Sequence, residues 1–223
     1  ATQVPVNTEK ADRSFASMGK AALRMDPNVI ILGEIRDEDT AAVMVRASIT
    51  GHLVLSTIHT NRATGIITRL LDMKVSPSLL SDSSLLRCLM CQRLAVKVCQ
   101  ECRLPLRQSP KHQNHIKLWE DALGATAIDQ AVARGAGCNK CNNTGIGGRI
   151  VVAEVIYVDE EGRQIIARGE SINWEKYLQS NGWENFYDRA KDLITKGIVD
   201  PFDAEKVVGP INKTVSNGRF MYK

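Results

Sequence analysis

Four of the six cysteines in this 223-residue sequence stand in two Cys-x-x-Cys pairs. The pairs are Cys99 with Cys102 and Cys138 with Cys141, and residues 103–137 separate them. Each pair can present two thiolates from a tight turn, and two such pairs complete a tetrahedral zinc site. Glycine and asparagine flank the second pair, which allows the backbone to turn around a metal and to donate hydrogen bonds to sulfur. The spacing predicts a tetracysteine zinc site, with four unrelated reduced thiols as the alternative.

The other two cysteines have the same spacing but different surroundings. Cys88 and Cys91 lie in a leucine-rich stretch without glycine, and this stretch predicts a helix over residues 78–92. Unpaired cysteine is by default a small buried hydrophobe, so we predict that both belong to a core. His112 and His115 lie between the zinc-ligand pairs and could replace a cysteine as ligands, but four well-spaced thiols make this unnecessary.

Polar residues with catalytic chemistry follow two short apolar runs of the chain. Residues 29–32 are Val-Ile-Ile-Leu and lead to Gly33 and Glu34, whereas residues 53–58 lead to His59. Short β-branched runs are typical of parallel strands that are buried on both faces. Ligands bind at the carboxyl ends of such strands. The pattern therefore predicts that the Glu34 carboxylate and the His59 imidazole lie at one edge of a sheet.

A helix between the two runs must bring the second strand alongside the first. Residues 39–49 predict this helix, and Gly51 is the expected stop. An ordinary βαβ unit with solvated end residues is the alternative interpretation. The expected apolar face of the helix consists of Ala41, Ala42, Val45 and Ile49. Further helices are predicted over residues 14–25, 63–73, 115–123, 184–196 and 203–208, strands over 93–98 and 149–158, and a mobile segment over 213–223.

Composition and charge exclude several classes of protein. Hydrophobic residues make up 43% and charged residues 24% of the chain, as in ordinary globular proteins. No run of the sequence approaches the roughly eighteen apolar residues of a membrane span. The net charge of +4 is small and aromatic residues make up only 5%, so we expect no specific nucleic-acid partner.

Several of these motifs occur together, in the same order, in one family. Residues 26–37 and 50–61 resemble the secretion ATPases of type II secretion systems and type IV pili. In that family Gly-Glu-Ile-Arg-Asp is the Walker B segment and Leu-Ser-Thr-Ile-His-Thr-Asn is the histidine box. The resemblance continues through residues 92–94, the four paired cysteines and residues 148–149, so it covers most of residues 7–158.

The resemblance implies an α/β fold, namely the C-terminal part of a RecA-like P-loop ATPase domain. Residues 1–98 and 149–158 are then part of the ATPase core, and residues 99–148 form an inserted tetracysteine zinc module. Residues 159–223 form a C-terminal helical region. A phosphate loop is not among the 223 residues. The resemblance therefore implies that the nucleotide-gripping half is absent, and that this chain alone is inactive as an ATPase.

The resemblance also implies roles for individual residues. Glu34 orients or activates the attacking water, and His59 senses the γ-phosphate of ATP. Gly33 and Thr60 belong to the site that binds the nucleotide and Mg²⁺. Arg149 matches an arginine that approaches the nucleotide of a neighbouring subunit.

Two assignments near these residues stay open. The family pattern changes directly after Arg149, at residues 150–153, so an ordinary strand-edge arginine is an equal alternative. We expect Arg36 and Asp37 to pair with each other or across a subunit boundary.

At the level of the whole protein, the resemblance implies a homohexameric ATPase that powers type IV pilus assembly or type II protein secretion. Its cofactors are ATP, Mg²⁺ and Zn²⁺, and its partners are platform proteins of the bacterial inner membrane. It is expected in the cytoplasm, peripheral at that membrane. One alternative is a DNA-uptake or conjugation motor of the same superfamily. Another, from a different class, is a zinc-ribbon nucleic-acid-binding module, which requires basic and aromatic residues around the cysteines.

Overall fold

The computed structural model describes residues 2–7, 9–169 and 171–211. The segment over 213–223, predicted to be mobile, lies outside the described residues. The chain divides into two compact units, Ala1–Cys91 with Val155–Trp183 and Gln92–Glu154 with Glu184–Lys223. The predicted regions, an ATPase core, a zinc module and a C-terminal helical region, are defined by their functions and not by compactness. This division stays a prediction.

Ten helices and six strands are formed by the described residues. The strands are β1 (Val29–Leu32), β2 (Leu53–Ser56), β3 (Cys88–Val98), β4 (Leu104–Pro105), β5 (Val132–Ala133) and β6 (Ile146–Tyr157). The helices are α1 (Phe15–Ala22), α2 (Glu38–Ile49), α3 (Gly65–Asp72), α4 (Pro77–Leu80), α5 (Gln113–Leu123), α6 (Ala125–Gln130), α7 (Glu160–Ala167), α8 (Ser171–Ser180), α9 (Phe186–Thr195) and α10 (Pro201–Val208). Short 3₁₀ turns cover Ala11–Arg13, Leu23–Met25, Leu106–Gln108, Pro110–His112 and Asn139–Cys141.

Strands β1 and β2 of the first unit pair in parallel, as the sequence predicts, with Leu32 opposite Ser56. Ile30 and Leu32 are buried against α1 and α2. The prediction that the strands are buried on both faces is wrong, because Val29 is 46% and Ile31 is 76% exposed. The described helices cover only one face of this sheet, so alternate side chains of the apolar run face outward.

The apolar face predicted for α2 is only partly correct. Ala42 and Ile49 are exposed, whereas Val43 and Met44 are buried. Contact with α1 decides which side of α2 is covered, since a Cβ on Gly19 of α1 would lie 2.8 Å from the Val43 side chain. The glycine allows the two helices to approach closely, and this contact turns the helix away from the predicted face.

The helix predicted over residues 78–92 is wrong. Helix α4 ends at Leu80, and β3 begins at Cys88. Alternation replaces helical periodicity there, since Leu89 is buried and Met90 is exposed. Cys88 is exposed and Cys91 is half-buried, so the prediction that both are core residues is also wrong.

A buried arginine holds the backbone that precedes β3. Arg163 on α7 is 9% exposed, and its guanidinium donates hydrogen bonds to the carbonyl oxygens of Asp82, Leu86 and Val158 at 2.8–3.0 Å. Between Asp82 and Leu86, whose carbonyls converge on this guanidinium, the backbone follows turns rather than a helix. This clamp gives a physical reason for the loop where the sequence predicts helix.

In the second unit, helix α5 packs against α10. The ring of Trp119 is fully buried, lies 4.8 Å from that of Phe202, and donates its indole N–H to Glu205 at 2.9 Å. Strands β3 and β6 pair with each other, and the boundary between the units falls within both strands. Among the described residues, no helix has the length and apolar character needed to cross a bilayer.

Candidate functional site

Two hydrogen bonds hold together the segments that follow β1 and β2. The amide of Ile35 donates to the carbonyl of Thr57 at 2.8 Å, so the parallel pairing continues beyond the strands. The hydroxyl of Thr57 donates to the carbonyl of Gly33 at 2.7 Å. The backbone on either side of Glu34 is therefore fixed against the segment that carries the histidine box.

This arrangement places Glu34 next to His59. The distance from His59 Nε2 to Glu34 Oε2 is 3.4 Å. The Glu34 side chain is 16% exposed, whereas that of His59 is 90% exposed. A partly enclosed carboxylate and an accessible imidazole thus share one edge of the sheet, where the sequence predicts them.

The other carboxylate oxygen of Glu34 forms an ion pair with Arg36. Within the chain Arg36 does not pair with Asp37, as one of the two expected arrangements had it, because Asp37 instead caps α2 by accepting the amide of Thr40 at 2.8 Å. Pairing across a subunit boundary stays a prediction. The signal for the pair of Arg36 with Glu34 was present in the sequence: side chains two residues apart in an extended segment point to the same side. Arg36 is therefore a residue of the site that sequence reasoning missed.

The charges of the site act mainly on Glu34. The hydrogen bond from Arg36 holds the pKa of the Glu34 carboxyl below its usual value, against the opposing effect of burial. The charges of Arg36 and His59 act in the same direction as this hydrogen bond. The carboxylate is thus an ionised acceptor with reduced basicity.

The remaining predicted nucleotide-site residues are not all gathered here. The hydroxyl of Thr60 donates to the carbonyl of Arg62 at 3.0 Å, in a local turn within the first unit. Arg149 lies on β6 in the second unit, and its side chain is exposed. The nucleotide-contacting roles of Gly33, Thr60 and Arg149 stay predictions.

The four paired cysteines converge in the second unit, as the sequence predicts. Their sulfur atoms all lie within 4.8 Å of one another. The Cys99–Cys138 and Cys102–Cys141 sulfur distances are both 3.9 Å, and the Cys138–Cys141 distance is 3.8 Å. Sulfurs at the corners of a tetrahedron around zinc, with bonds of about 2.3 Å, are about 3.8 Å apart. The donor set and its spacing therefore fit a zinc ion.

Backbone amides around the cluster favour thiolate. The Sγ atom of Cys141 accepts the amides of Cys138 and Gly145 at 3.1 and 3.2 Å. Burial by itself raises the pKa of Cys141, but these hydrogen bonds outweigh it and lower the pKa to about 6. Burial and the neighbouring thiols raise the pKa of Cys102 to about 12. A divalent cation would remove this asymmetry, because it binds all four sulfurs as thiolates.

The close approach of the two cysteine-bearing segments requires glycine at position 135. A Cβ at Gly135 would lie 1.8 Å from the carbonyl oxygen of Cys102, a distance that no side chain can tolerate. The two cysteine-bearing segments can therefore come together only with glycine at this position.

His112 and His115 are not among the four metal-ligating side chains that come together. His112 is instead buried between Ser109 and Asp200, with Nδ1 2.7 Å from the serine Oγ and Nε2 3.0 Å from a carboxylate oxygen. Asp200 also accepts the amide of Arg134 at 2.7 Å. This network was not predicted, because its histidine and aspartate lie 88 positions apart in the sequence and form no local motif.

The family model described as Type II/IV secretion system protein matches residues 1–209. The chain belongs to this family. It is 45% identical over 170 residues to a type II secretion system protein E of Aeromonas hydrophila, covering 75% of this chain and 32% of that protein. It is 40% identical over 198 residues to a type II secretion system ATPase E of Vibrio cholerae, covering 88% of this chain and 37% of that protein. The chain thus spans about a third of the length of these relatives.

Solved structures show the fold that this family member shares. The pilus retraction motor PilT with bound ADP superposes with a TM-score of 0.60 at 23% identity, over 88% of this chain and 45% of PilT. The Legionella pneumophila ATPase DotB superposes with a TM-score of 0.61 at 18% identity, over 91% of this chain and 44% of DotB. The mixed α/β fold of the chain is therefore similar to part of these two proteins.

Proposed function

We propose that this chain is the Walker B and histidine-box part of a motor ATPase that powers type II protein secretion or type IV pilus assembly. The observation that carries the proposal is the pairing of Glu34 with His59 at the carboxyl edge of a parallel strand pair. Family membership supports it, as do the sequence similarity to a type II secretion system ATPase E and the fold that the chain shares with part of a pilus retraction motor.

In this proposal, Glu34 accepts a hydrogen bond from the water that attacks the γ-phosphate of ATP. His59 donates a hydrogen bond to the departing phosphate from an exposed and therefore accessible position. Gly33 and Thr60 contribute to the nucleotide site, and Arg149 contributes charge at the nucleotide of a neighbouring subunit. Mg²⁺, when bound, neutralises charge on the phosphates.

The four cysteines have a structural role in the proposal. A zinc ion held by Cys99, Cys102, Cys138 and Cys141 closes the base of the segment between the pairs. The metal in this site would be structural rather than catalytic, because protein sulfur fills all four of its ligand positions and leaves none open for a substrate.

The assembly follows the resemblance. The complete protein is proposed to be a homohexamer that binds ATP and Mg²⁺, located in the cytoplasm at the inner membrane and associated with platform proteins there. A ring is consistent with the proposed role of Arg149, since an arginine that acts on a neighbour's nucleotide requires subunit contact.

The test is Glu34→Gln in the complete protein, with Glu38→Gln on the first turn of α2 as the matched control. We expect the Glu34 variant to bind ATP as the wild type does and to lose on the order of a hundredfold in turnover. The control should keep its turnover, because Glu38 is exposed and not part of the site. Undiminished hydrolysis by the Glu34 variant would remove this residue from the reaction.

A further inference from the structure

We propose that Arg36 is a positioning residue of the candidate site, which orients the Glu34 carboxylate for its role as a water acceptor. The inference rests on the proposed function for its catalytic meaning. It concerns a residue that the motif by itself does not assign, because the sequence predicts a different partner for Arg36.

The geometry leaves the Glu34 carboxylate little freedom. One oxygen pairs with Arg36 and the other lies 3.4 Å from the His59 imidazole, so each oxygen of the carboxylate has its own partner. The backbone before and after Glu34 is tied to Thr57. Water that approaches from the accessible side of His59 therefore meets an oriented acceptor.

Arg36 is itself held from two directions. Its guanidinium carbon lies 5.7 Å from the centre of the Phe15 ring on α1, within the range of a cation–π contact. The next residue, Asp37, is fixed as the cap of α2. The position of Phe15 depends in turn on Gly33, where a Cβ would lie 3.2 Å from the ring. Phe15, Gly33 and Arg36 thus form a support behind Glu34.

The electrostatics agree with this geometry. The charged and titratable groups that act on Glu34 are Arg36, two residues along the chain, and His59, after β2. Asp37 acts on Arg36 and favours its charged form. Arg36 lowers the pKa of Glu34, so removing the guanidinium must raise this pKa. If activity needs ionised Glu34, the acid limb of its pH profile would then move to higher pH.

The direct test is a carboxyl NMR titration of this chain carrying ¹³C-labelled glutamate, with the Glu34 signal identified by its loss in Glu34→Gln. We expect the midpoint of Glu34 to move to higher pH in Arg36→Gln and to return towards wild type in Arg36→Lys. Phe15→Leu, which leaves all charges in place, should give a smaller shift in the same direction. Arg24→Gln, at an exposed arginine outside the site, should give none. An unchanged midpoint in both Arg36→Gln and Phe15→Leu would overturn the inference.

The second test is the pH profile of kcat/KM in the complete ATPase. In Arg36→Gln the acid limb should move to higher pH, with a loss on the order of tenfold at the acid end and recovery at higher pH. A uniform loss at every pH, without rescue by Arg36→Lys, would show a structural role and overturn the inference. Full turnover by Glu34→Gln would instead overturn the proposed function, and the NMR result would stand independently. The two failures are therefore distinguishable.

Discussion

The Nε2 atom of His59 lies 3.4 Å from Oε2 of Glu34, although helix α2 and strand β2 separate the two residues along the chain. The parallel register that sets Leu32 opposite Ser56 produces this proximity, because both strands then end at the same level. A slip of one residue would turn the side chains that follow one strand to the other face. The sheet register is therefore a condition for any chemistry that uses both groups.

The first prediction concerns ATP hydrolysis by this chain alone. We expect none above background, because the 223 residues contain no Gly-x-x-x-x-Gly-Lys-Ser/Thr loop to hold the phosphates. Phosphate release by the purified chain measures this, with Glu34→Gln of the same chain as the blank. Turnover that exceeds the blank would show that the nucleotide is gripped in another way.

The second prediction concerns the metal. We expect one zinc per chain, lost in Cys138→Ser and retained in the double variant Cys88→Ser/Cys91→Ser. Among the described residues, the cysteines that converge are Cys99, Cys102, Cys138 and Cys141. Metal analysis of the three purified proteins decides it. If zinc is lost only from the double variant, the ion is held by Cys88 and Cys91 and the prediction is wrong.

The third prediction concerns the structural effect of losing this metal. Structural zinc contributes roughly 10 kcal/mol or more to the folding of small modules, so Cys138→Ser should loosen the segment that carries Trp119. Hydrogen exchange should rise there, while the amides of β1 and β2 keep their protection because their core lies in the first unit. Uniform loss of protection along the chain would argue against a local role for the metal.

The fourth prediction concerns the buried pair of His112 and Asp200. The two side chains are 3% and 5% exposed. His112→Ala leaves the carboxylate buried without this partner and should lower the free energy of unfolding by about 3 kcal/mol. Urea unfolding measures it, with Lys111→Ala at the exposed neighbouring position as the control. A change no larger than that of the control would mean that water replaces the imidazole without loss.

The fifth prediction concerns alkaline pH. Tyr177 donates to Asp159 at 2.5 Å, and this hydrogen bond, with burial, raises the pKa of the phenol to about 12. The contribution of the bond to stability is complete below about pH 10, where the unfolded phenol is protonated, and is lost as the pH rises through about 12. A spectrophotometric titration should lose its step near pH 12 in Tyr177→Phe. If Tyr177→Phe instead removes a step near pH 10, the phenol has an ordinary pKa and the hydrogen bond to Asp159 does not raise it.

Local patterns in the sequence predicted the parts of the fold that depend on neighbouring residues. Strands β1 and β2, helix α2 and the cysteine cluster follow from short-range periodicity and from spacing. The helix predicted over residues 78–92 failed because its leucines fit two periods, and the clamp by Arg163, far along the chain, favours the extended one.

The candidate site could be predicted only in part for a similar reason. Glu34 and His59 follow strands, and the rule that parallel strands end at one edge was sufficient to bring them together. The pair of Arg36 with Glu34 fits their spacing of two residues, but the contact of Arg36 with the Phe15 ring joins distant segments and no local motif records it. The network of His112 joins residues 88 positions apart, and only the packed structure can bring them together.

The contacts between α5 and α10 have a consequence for the order in which the second unit can fold during synthesis. Trp119 obtains its hydrogen-bond partner Glu205 from 86 positions downstream. At a synthesis rate of about 5–20 residues per second, roughly 4–17 seconds pass between the synthesis of Trp119 and that of Glu205. All four clustered cysteines are synthesised before α10, so zinc bound during this interval would hold the base of the waiting segment until the helix arrives.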